Sequence, residues 1–484
     1  MKIAAIGGGV IGGGWIARFI LNGHDVSIFD PHPDAQRIVG EVMANASRAY
    51  EKLFQAPLPE PGRLIWAASI AEAVAGADYV QESVPERLDL KHRILAEIEA
   101  AAPAAAIIGS STSGFKPSEL REGAIHPARI IVAHPFNPVY LLPIVEIVGS
   151  GDAAQRAAEI LTQVGMKPVQ IAREIDAHIG DRLLEAVWRE ALWLVKDGIA
   201  TTEEIDDIIR FGFGLRWAQM GLFETYRIAG GEAGMRHFLS QFGPALKWPW
   251  TKLMDVPDLD DALIDMIAAQ SDAQSGAHSI RELERIRDDN LIGIFHALKA
   301  NDWGAGQTLR EAENRLYKRE VATAPGYPLM LHRAQVGGAW VDYNGHMTEF
   351  RYLQVFGDAT DAFLIHMGLD ESWIARGFSA YTVETHIRHL AEVHAGEKLR
   401  VATRLLGHDT KRFRLHHAIL REDGSEAATA EHMLVFVDTA AGRATEMPPA
   451  LLEKLDEIAA QDTLPIPEHA GVGIRTIRAR EAVT

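Results

Sequence analysis

The sequence predicts three domains: a doubly wound α/β domain over residues 1–178, an all-helical domain over 179–322 and an α+β domain over 328–440. Three observations carry that reading. Short apolar runs alternate with helical stretches through the first 150 residues, the pattern of a parallel sheet with crossover helices. Apolar residues then recur at helical spacing as far as Tyr317. Past a Pro- and Gly-rich stretch at 322–328, one amphipathic helix is followed by four strand-like runs, as in a helix backed by an antiparallel sheet. A length of 484 residues agrees with about three domains at roughly 150 residues each.

In the first domain the apolar runs fall at 3–6, 26–30, 79–82, 107–110 and 130–134. In the second, Ile179, Leu183, Leu184, Val187, Ala191 and Leu194 mark one helix face, and Gly198 is placed to stop that helix. Thr201 and Glu204 have the spacing of a capping box that opens the next helix. In the third, a helix over about 348–367 precedes strands at 379–391, 397–407, 411–421 and 426–437, separated by turns such as Glu422-Asp423-Gly424. Residues 441–484, a charged helix-like piece and a Pro-containing tail, have no assigned role.

Composition narrows the function. With 47% hydrophobic and 24% charged residues the chain has ample material for packed cores. Its 48 basic against 66 acidic residues leave a net charge of −18, which repels phosphate backbones and anionic membrane surfaces, so neither nucleic acid nor membrane is an expected partner. The absence of cysteine removes disulfides, thiolate zinc sites and thiol nucleophiles. Only Met1 and Lys2 precede the first apolar run, too few for a signal peptide, and no run approaches the ~18 apolar residues of a membrane helix; the cytoplasm is the expected compartment.

Gly7, Gly9 and Gly12 form G-x-G-x-x-G directly after the first strand and before a helix. Glycines there permit the tight turn and the close approach of a pyrophosphate, which the helix N-terminus attracts. The whole loop, Gly7, Gly8, Gly9, Val10, Ile11 and Gly12, is expected at the cofactor. The second strand ends at Asp30, 18 residues after Gly12, where a carboxylate binds both ribose hydroxyls and repels a 2′-phosphate. The first domain is therefore expected to be a Rossmann domain binding NAD in preference to NADP.

His134 falls where a later strand of that sheet ends, and ligands of open α/β sheets bind outside such ends. An alcohol dehydrogenase needs a base near neutrality, and a carboxylate on the second ring nitrogen fixes its tautomer and stabilises the imidazolium. Glu146, alone in the apolar run Ile144-Val145-Glu146-Ile147-Val148, needs a partner if buried. From spacing alone, a turn histidine and an exposed edge-strand acid fit equally well.

The glycine loop, Ser110-Ser111-Thr112-Ser113, His134-Pro135-Phe136-Asn137-Pro138 and Glu146 together resemble the 3-hydroxyacyl-CoA dehydrogenase family over residues 1 to about 320. The resemblance implies His134 as the base, Glu146 as its orienting acid, Ser113 as a ligand of the substrate oxygen, Asn137 at the substrate, and Glu86 and Lys91 at the cofactor. Where that family has Asn-Arg-Leu, this chain has Asp181-Arg182-Leu183, which replaces a substrate-binding amide by an acid. The segment Gly212-Phe213-Gly214-Leu215-Arg216-Trp217-Ala218 is similar to the branch containing λ-crystallin and gulonate dehydrogenase, which oxidises free hydroxy acids; Arg216 then holds a substrate carboxylate. Five tryptophans between Trp188 and Trp250, with Asp181 or Glu224, suit a quaternary ammonium group, although any one aromatic also suits the core or a dimer interface.

In the third domain Asp342-Tyr343-Asn344-Gly345-His346-Met347 precedes the amphipathic helix, and the region 328–440 resembles the hotdog-fold thioesterases of the 4-hydroxybenzoyl-CoA type. The resemblance implies Asp342 as nucleophile or water-activating base and a backbone N–H near Gly345 to Thr348 as the group that polarises the thioester carbonyl, with His346 assisting binding. A turn-capping aspartate is the plainer alternative. His386, His389 and His394 suggest a metal only weakly, since 386 and 389 point to opposite faces of a strand, and no metal is expected.

The sum is a bifunctional enzyme, a dehydrogenase of a free 3-hydroxy acid carrying an ammonium group joined to an acyl-CoA thioesterase, and a homodimer through helical and hotdog faces. The rivals are a gulonate-like or 3-hydroxyacyl-CoA dehydrogenase, and a hotdog domain that only binds or oligomerises.

Overall fold

The computed structural model describes residues 1–171, 173–229, 238–240, 251–252, 260–275, 277–318, 328–468 and 470–471. They divide into two units, Met1–Leu53 with Glu60–Arg310, and Phe54–Pro59 with the described residues from Glu311 onward.

The first unit holds eight strands in the order β3-β2-β1-β4-β5-β6-β7-β8. They are β1 Lys2–Ile6, β2 Asp25–Phe29, β3 Leu64–Trp66, β4 Tyr79–Glu82, β5 Ile107–Ser110, β6 Ile130–Pro135, β7 Ile144–Val148 and β8 Lys167–Ile171. Strand residues feed two cores, one on each side: Ile3 and Ala5 pack with Trp15, Phe19 and Ile147, and Ala4 and Ile6 with Val80, Leu95 and Ile108. Burial on both faces is why the strands read as continuous apolar runs. The sheet departs from the expected all-parallel order at one place. β6 and β7 are antiparallel, with His134 paired to Glu146, because the short 136–143 connection cannot make the crossover of a dozen or more residues that a parallel pair needs.

Helices follow β8: Gly180–Lys196, Thr202–Ile208, Gly214–Ala229, Asp261–Ser275 and Ile280–Ala300. Gly198 (φ +67°) ends the first of these. At the second, the Thr201 hydroxyl accepts from Glu204 N at 3.2 Å while Glu204 accepts from Thr201 N at 2.8 Å, which satisfies two of the donors that a helix start leaves open. No helix among the described residues is long and apolar enough to cross a membrane.

In the second unit an antiparallel sheet in the order β10-β13-β12-β11-β9 curls round the Glu349–His366 helix. The strands are β9 Leu329–Gln335, β10 Phe378–His389, β11 Lys398–His408, β12 Arg412–Leu420 and β13 Glu426–Asp438, with β14 Arg443–Ala444 beside β13. Val355, Phe356, Ala359 and Phe363 of the helix are fully enclosed. Two segments outside the 328–440 region complete this core. The Pro449–Gln461 helix contributes Leu451, Leu455 and Ile458, and Ala56 packs with Tyr317 and Leu331.

Histidines sit inside this unit. His417 shares its ring nitrogens with the hydroxyls of Thr360 (3.0 Å) and Thr403 (2.9 Å), and His432 also reaches Thr360 at 3.0 Å. Burial pushes His417 well below its ordinary range, with the neighbouring histidines adding to it, and pushes His432 from 6.5 down to about 4. Above pH 6.5 these rings are neutral whether the chain is folded or not. As pH falls from 6.5 towards 4 the unfolded chain takes up protons that the folded unit refuses, so stability is lost across that window, by about 3 kcal/mol for His432 alone. Thermal unfolding of the full chain between pH 7.5 and 4.5 is expected to show this loss, and His432→Gln to flatten it. An equal slope in the variant would refute the assignment.

Candidate active sites

A cleft of about 780 Å³ opens at the carboxyl ends of β1 and β2, lined by the glycine loop, the Asp30–Pro33 turn and Val84. A Cβ on Gly12 would lie 2.0 Å from Gly7 O, so only glycine lets the Val10–Leu21 helix start this close to β1, whereas a Cβ on Gly9 would meet nothing within 4 Å. That open face and the helix N-terminus behind it fit a pyrophosphate. The Asp30 carboxylate accepts from Gly8 N at 2.6 Å and His32 N at 2.7 Å, which fixes it at the cleft's edge where a ribose belongs.

Lys91 and Glu86 hold the loops beyond β4 and β5. Lys91, 1% exposed, lies 2.9 Å from Glu82 and 3.4 Å from Glu86, and Ser110 donates to Glu82 at 2.5 Å. The Glu86 carboxylate accepts from the Thr112 hydroxyl, Ser113 N (3.2 Å) and Gly114 N (3.1 Å). The loop carrying Ser113 is thereby pinned to β4, with Ser113 itself exposed. Glu82, the buried partner in this network, was not singled out from sequence.

At the end of β6, His134 Nδ1 lies 3.0 Å from Glu146 on β7, both almost fully buried. The other Glu146 oxygen accepts from the amides of Ile179 and Gly180, each at 3.0 Å, at the start of the Gly180–Lys196 helix. Burial raises the Glu146 carboxyl, but the His134 ring and these two amides outweigh it and hold the group below its usual range. Glycine at 180 is a packing requirement, since a Cβ there would lie 2.3 Å from the Phe136 ring. The helix so anchored places Asp181 Oδ2 3.5 Å from His134 Nε2, the nitrogen that faces away from Glu146.

His178 is a site residue that sequence reasoning missed. Fully buried, it lies with its ring 5.5 Å from His134 and its Nε2 3.1 Å from Thr112 O, which links the Ser113 loop to the base. Burial lowers its pKa, so it is a neutral wall of the site. Ala177 and His178 have φ of +59° and +50°, left-handed values that no local glycine advertises. Asn137 is exposed on the β6–β7 connection, and Arg216 is exposed on the Gly214–Ala229 helix. The Glu224 side chain, Trp248 and Trp250 lie outside the described residues.

In the second unit Asp342 begins a turn before the Glu349–His366 helix. Its Oδ1 accepts from Asn344 N at 2.8 Å and His346 N at 3.2 Å. Desolvation raises this carboxyl, and those two amides, with the Asn344 side chain and the His346 ring, outweigh it and leave it below its usual range. Beside the turn, His346, Met347, Glu349, Tyr352 and residues 389–392 line a cleft of about 460 Å³.

A dinucleotide loop with its acid, and a histidine held by a carboxylate at the next bend of the same sheet, define the first unit as an NAD-dependent dehydrogenase of the 3-hydroxyacyl-CoA type. The model of the 3-hydroxyacyl-CoA dehydrogenase NAD-binding domain matches residues 2–175, that of its C-terminal domain 178–259, and the thioesterase-like superfamily 336–455. An Agrobacterium fabrum protein named L-carnitine dehydrogenase/betainyl-CoA thioesterase is 76% identical over 481 residues, covering 99% of each chain. An L-carnitine dehydrogenase of Mesorhizobium japonicum is 63% identical over 326 residues, 66% of this chain and 90% of that one. A solved NAD⁺-dependent 5-formyl-3-hydroxy-2-methylpyridine 4-carboxylic acid 5-dehydrogenase shares the fold over 62% of this chain and 98% of its own, at 24% identity and TM-score 0.51. The chain belongs to the family of fused L-carnitine dehydrogenase/betainyl-CoA thioesterases.

Proposed function

We propose that the chain oxidises L-carnitine to 3-dehydrocarnitine with NAD and hydrolyses betainyl-CoA to glycine betaine and CoA. The observation that carries the first activity is Asp181, whose carboxylate stands 3.5 Å from His134 Nε2. In L-carnitine the hydroxyl and the trimethylammonium group sit on adjacent carbons, so a base that reaches the first brings the second alongside. An anion next to the base suits that cation and serves no purpose for an uncharged acyl chain.

In this reading His134 Nε2 takes the C3 hydroxyl proton, and Glu146, held by Ile179 N and Gly180 N, stabilises the imidazolium. Ser113 holds the substrate oxygen, with Asn137 beside it, and Arg216 takes the carboxylate. NAD⁺, when bound, accepts the hydride. Gly7 to Gly12 receive its pyrophosphate and Asp30 its adenosine ribose. Glu86 and Lys91 act on the cofactor side by fixing the loops that border it.

Asp342 attacks the thioester carbonyl or activates water, while amides near the start of the Glu349–His366 helix polarise that carbonyl. Each unit also offers a face suited to a homodimer: Leu183, Leu184, Val187 and Trp188 exposed along one helix, and Tyr381 and Val383 exposed on the edge strand β10. A cytoplasmic setting accords with the NAD requirement.

The test follows NADH absorbance with L-carnitine, L-gulonate, 3-hydroxybutyrate and 3-hydroxybutyryl-CoA at equal concentration, in the parent chain and in Asp181→Asn. Selective turnover of L-carnitine is expected, with kcat/KM for it reduced in the variant by tenfold or more, ~1.4 kcal/mol of lost cation binding. Preference for another substrate would remove the carnitine assignment and leave the roles of NAD and His134 intact.

A further inference from the structure

At the cleft of the second unit, two segments bring three metal-ligating side chains together. His346 and His394 are antiparallel bridge partners, and Met347 N donates to Val393 O at 2.7 Å, so backbone pairing sets the two histidines side by side. Their rings are 5.0 Å apart. Glu392, two residues before His394, places a carboxylate oxygen 3.3 Å from His346 Nε2. One ligand atom from each of the three lies within 4.8 Å of the others, and among the described residues no other group has this geometry.

The distances suit a tetrahedral ion. Bonds of about 2.0–2.2 Å place neighbouring ligands roughly 3.3–3.6 Å apart. The His346–Glu392 pair already has that separation, and His394 closes the remainder by rotating an exposed side chain. His394 Nδ1 faces Gly345 O at 3.3 Å. Donation to that carbonyl leaves Nε2 unprotonated and free to ligate, the arrangement by which backbone carbonyls orient ligating histidines. The segment is held from behind as well. Glu397 accepts from His394 N at 2.8 Å, and Arg421 donates to the Glu392 carbonyl.

We propose that His346, Glu392 and His394 bind a zinc-class divalent ion at the mouth of the thioester cleft. Two imidazoles and one carboxylate select such an ion over Mg²⁺ or Ca²⁺, which prefer all-oxygen shells. The three ligands leave a fourth position open, and His346 and Glu392 themselves line the cleft. The histidine triad considered from sequence, His386, His389 and His394, misses the site because only the fold reveals that the partner of His394 is His346.

The test uses the full chain after chelator treatment, titrated with Co²⁺ and followed by the visible absorption of a tetrahedral centre, then displaced by Zn²⁺. One equivalent per chain is expected, with affinity reduced tenfold or more in His394→Ala and in Glu392→Gln, and unchanged in His386→Ala. The Glu392 side chain is 69% exposed, so its variant keeps the test informative if a histidine variant misfolds. No Co²⁺ spectrum, or a spectrum equal in all variants, would overturn the proposal and leave His346 and Glu392 as an ordinary ion pair. The readout is binding alone, so it does not depend on the identity of the thioester.

Discussion

His134→Ala is expected to lower kcat for L-carnitine oxidation by roughly 10²–10⁴-fold, the usual loss when a positioned general base is removed. The size of the effect follows from burial. His134 is 5% exposed, among Phe136, His178, Glu146 and Asp181, so water does not readily replace its ring as proton acceptor. NAD affinity should stay within about twofold, because the nucleotide cleft is built from the glycine loop and the Asp30 turn and does not include His134. Glu146→Gln tests the tautomer as well as the charge. Its oxygen stays with Ile179 N and Gly180 N, so its NH2 donates to His134 Nδ1 and leaves the ring proton on Nε2, where it blocks proton acceptance; a loss approaching that of His134→Ala is expected, with KM little changed. Stopped-flow measurement of NADH formation under saturating carnitine distinguishes these outcomes. A His134→Ala chain within tenfold of the parent would mean that another group takes the proton.

Legibility in the sequence followed the range of the interactions. The glycine loop and Asp30 were readable because strand, turn, helix and acid are contiguous and Gly7 and Gly12 answer local steric demands. The pairing of His134 with Glu146 was half readable. An isolated acid in an apolar run called for a partner and the family resemblance implied which one, yet the parallel sheet that was expected would not by itself set the two residues opposite each other; the antiparallel turn of β7 does so. His178 and Gly180 were not readable, since their roles arise where a left-handed turn meets Phe136 and Glu146, residues more than thirty positions away. The same holds in the second unit. Thr360, His417 and His432 come from a helix and two strands, and nothing in their separate sequence contexts signals that they share one hydrogen-bonded cluster. Ala56 and the Pro449–Gln461 helix show the converse, apolar segments whose destination is another part of the chain and which periodicity alone cannot assign.

Hydrolysis of betainyl-CoA is expected to fall roughly 10²-fold or more in Asp342→Asn, while carnitine oxidation by the same preparation is retained. Asparagine is the informative replacement because Asp342 has two separable jobs in the structure. Its Oδ1 accepts from Asn344 N and His346 N, a turn-closing role that an amide oxygen performs equally well. Its charge is the second feature: the two amides, with the Asn344 side chain and the His346 ring, hold the carboxyl below its ordinary range, so at neutral pH it is an anion beside the cleft that His346 and Glu349 line. Only that anion serves as nucleophile or as base for water. Alanine would remove both roles together and allow the turn to relax, which would confuse a folding effect with a chemical one. Release of CoA thiol measured against a chromogenic disulfide gives the rate directly. If Asp342→Asn hydrolyses the thioester as fast as the parent, Asp342 is a turn cap and the carbonyl is attacked by water activated elsewhere in the cleft. If neither protein releases CoA, the second unit serves binding or assembly.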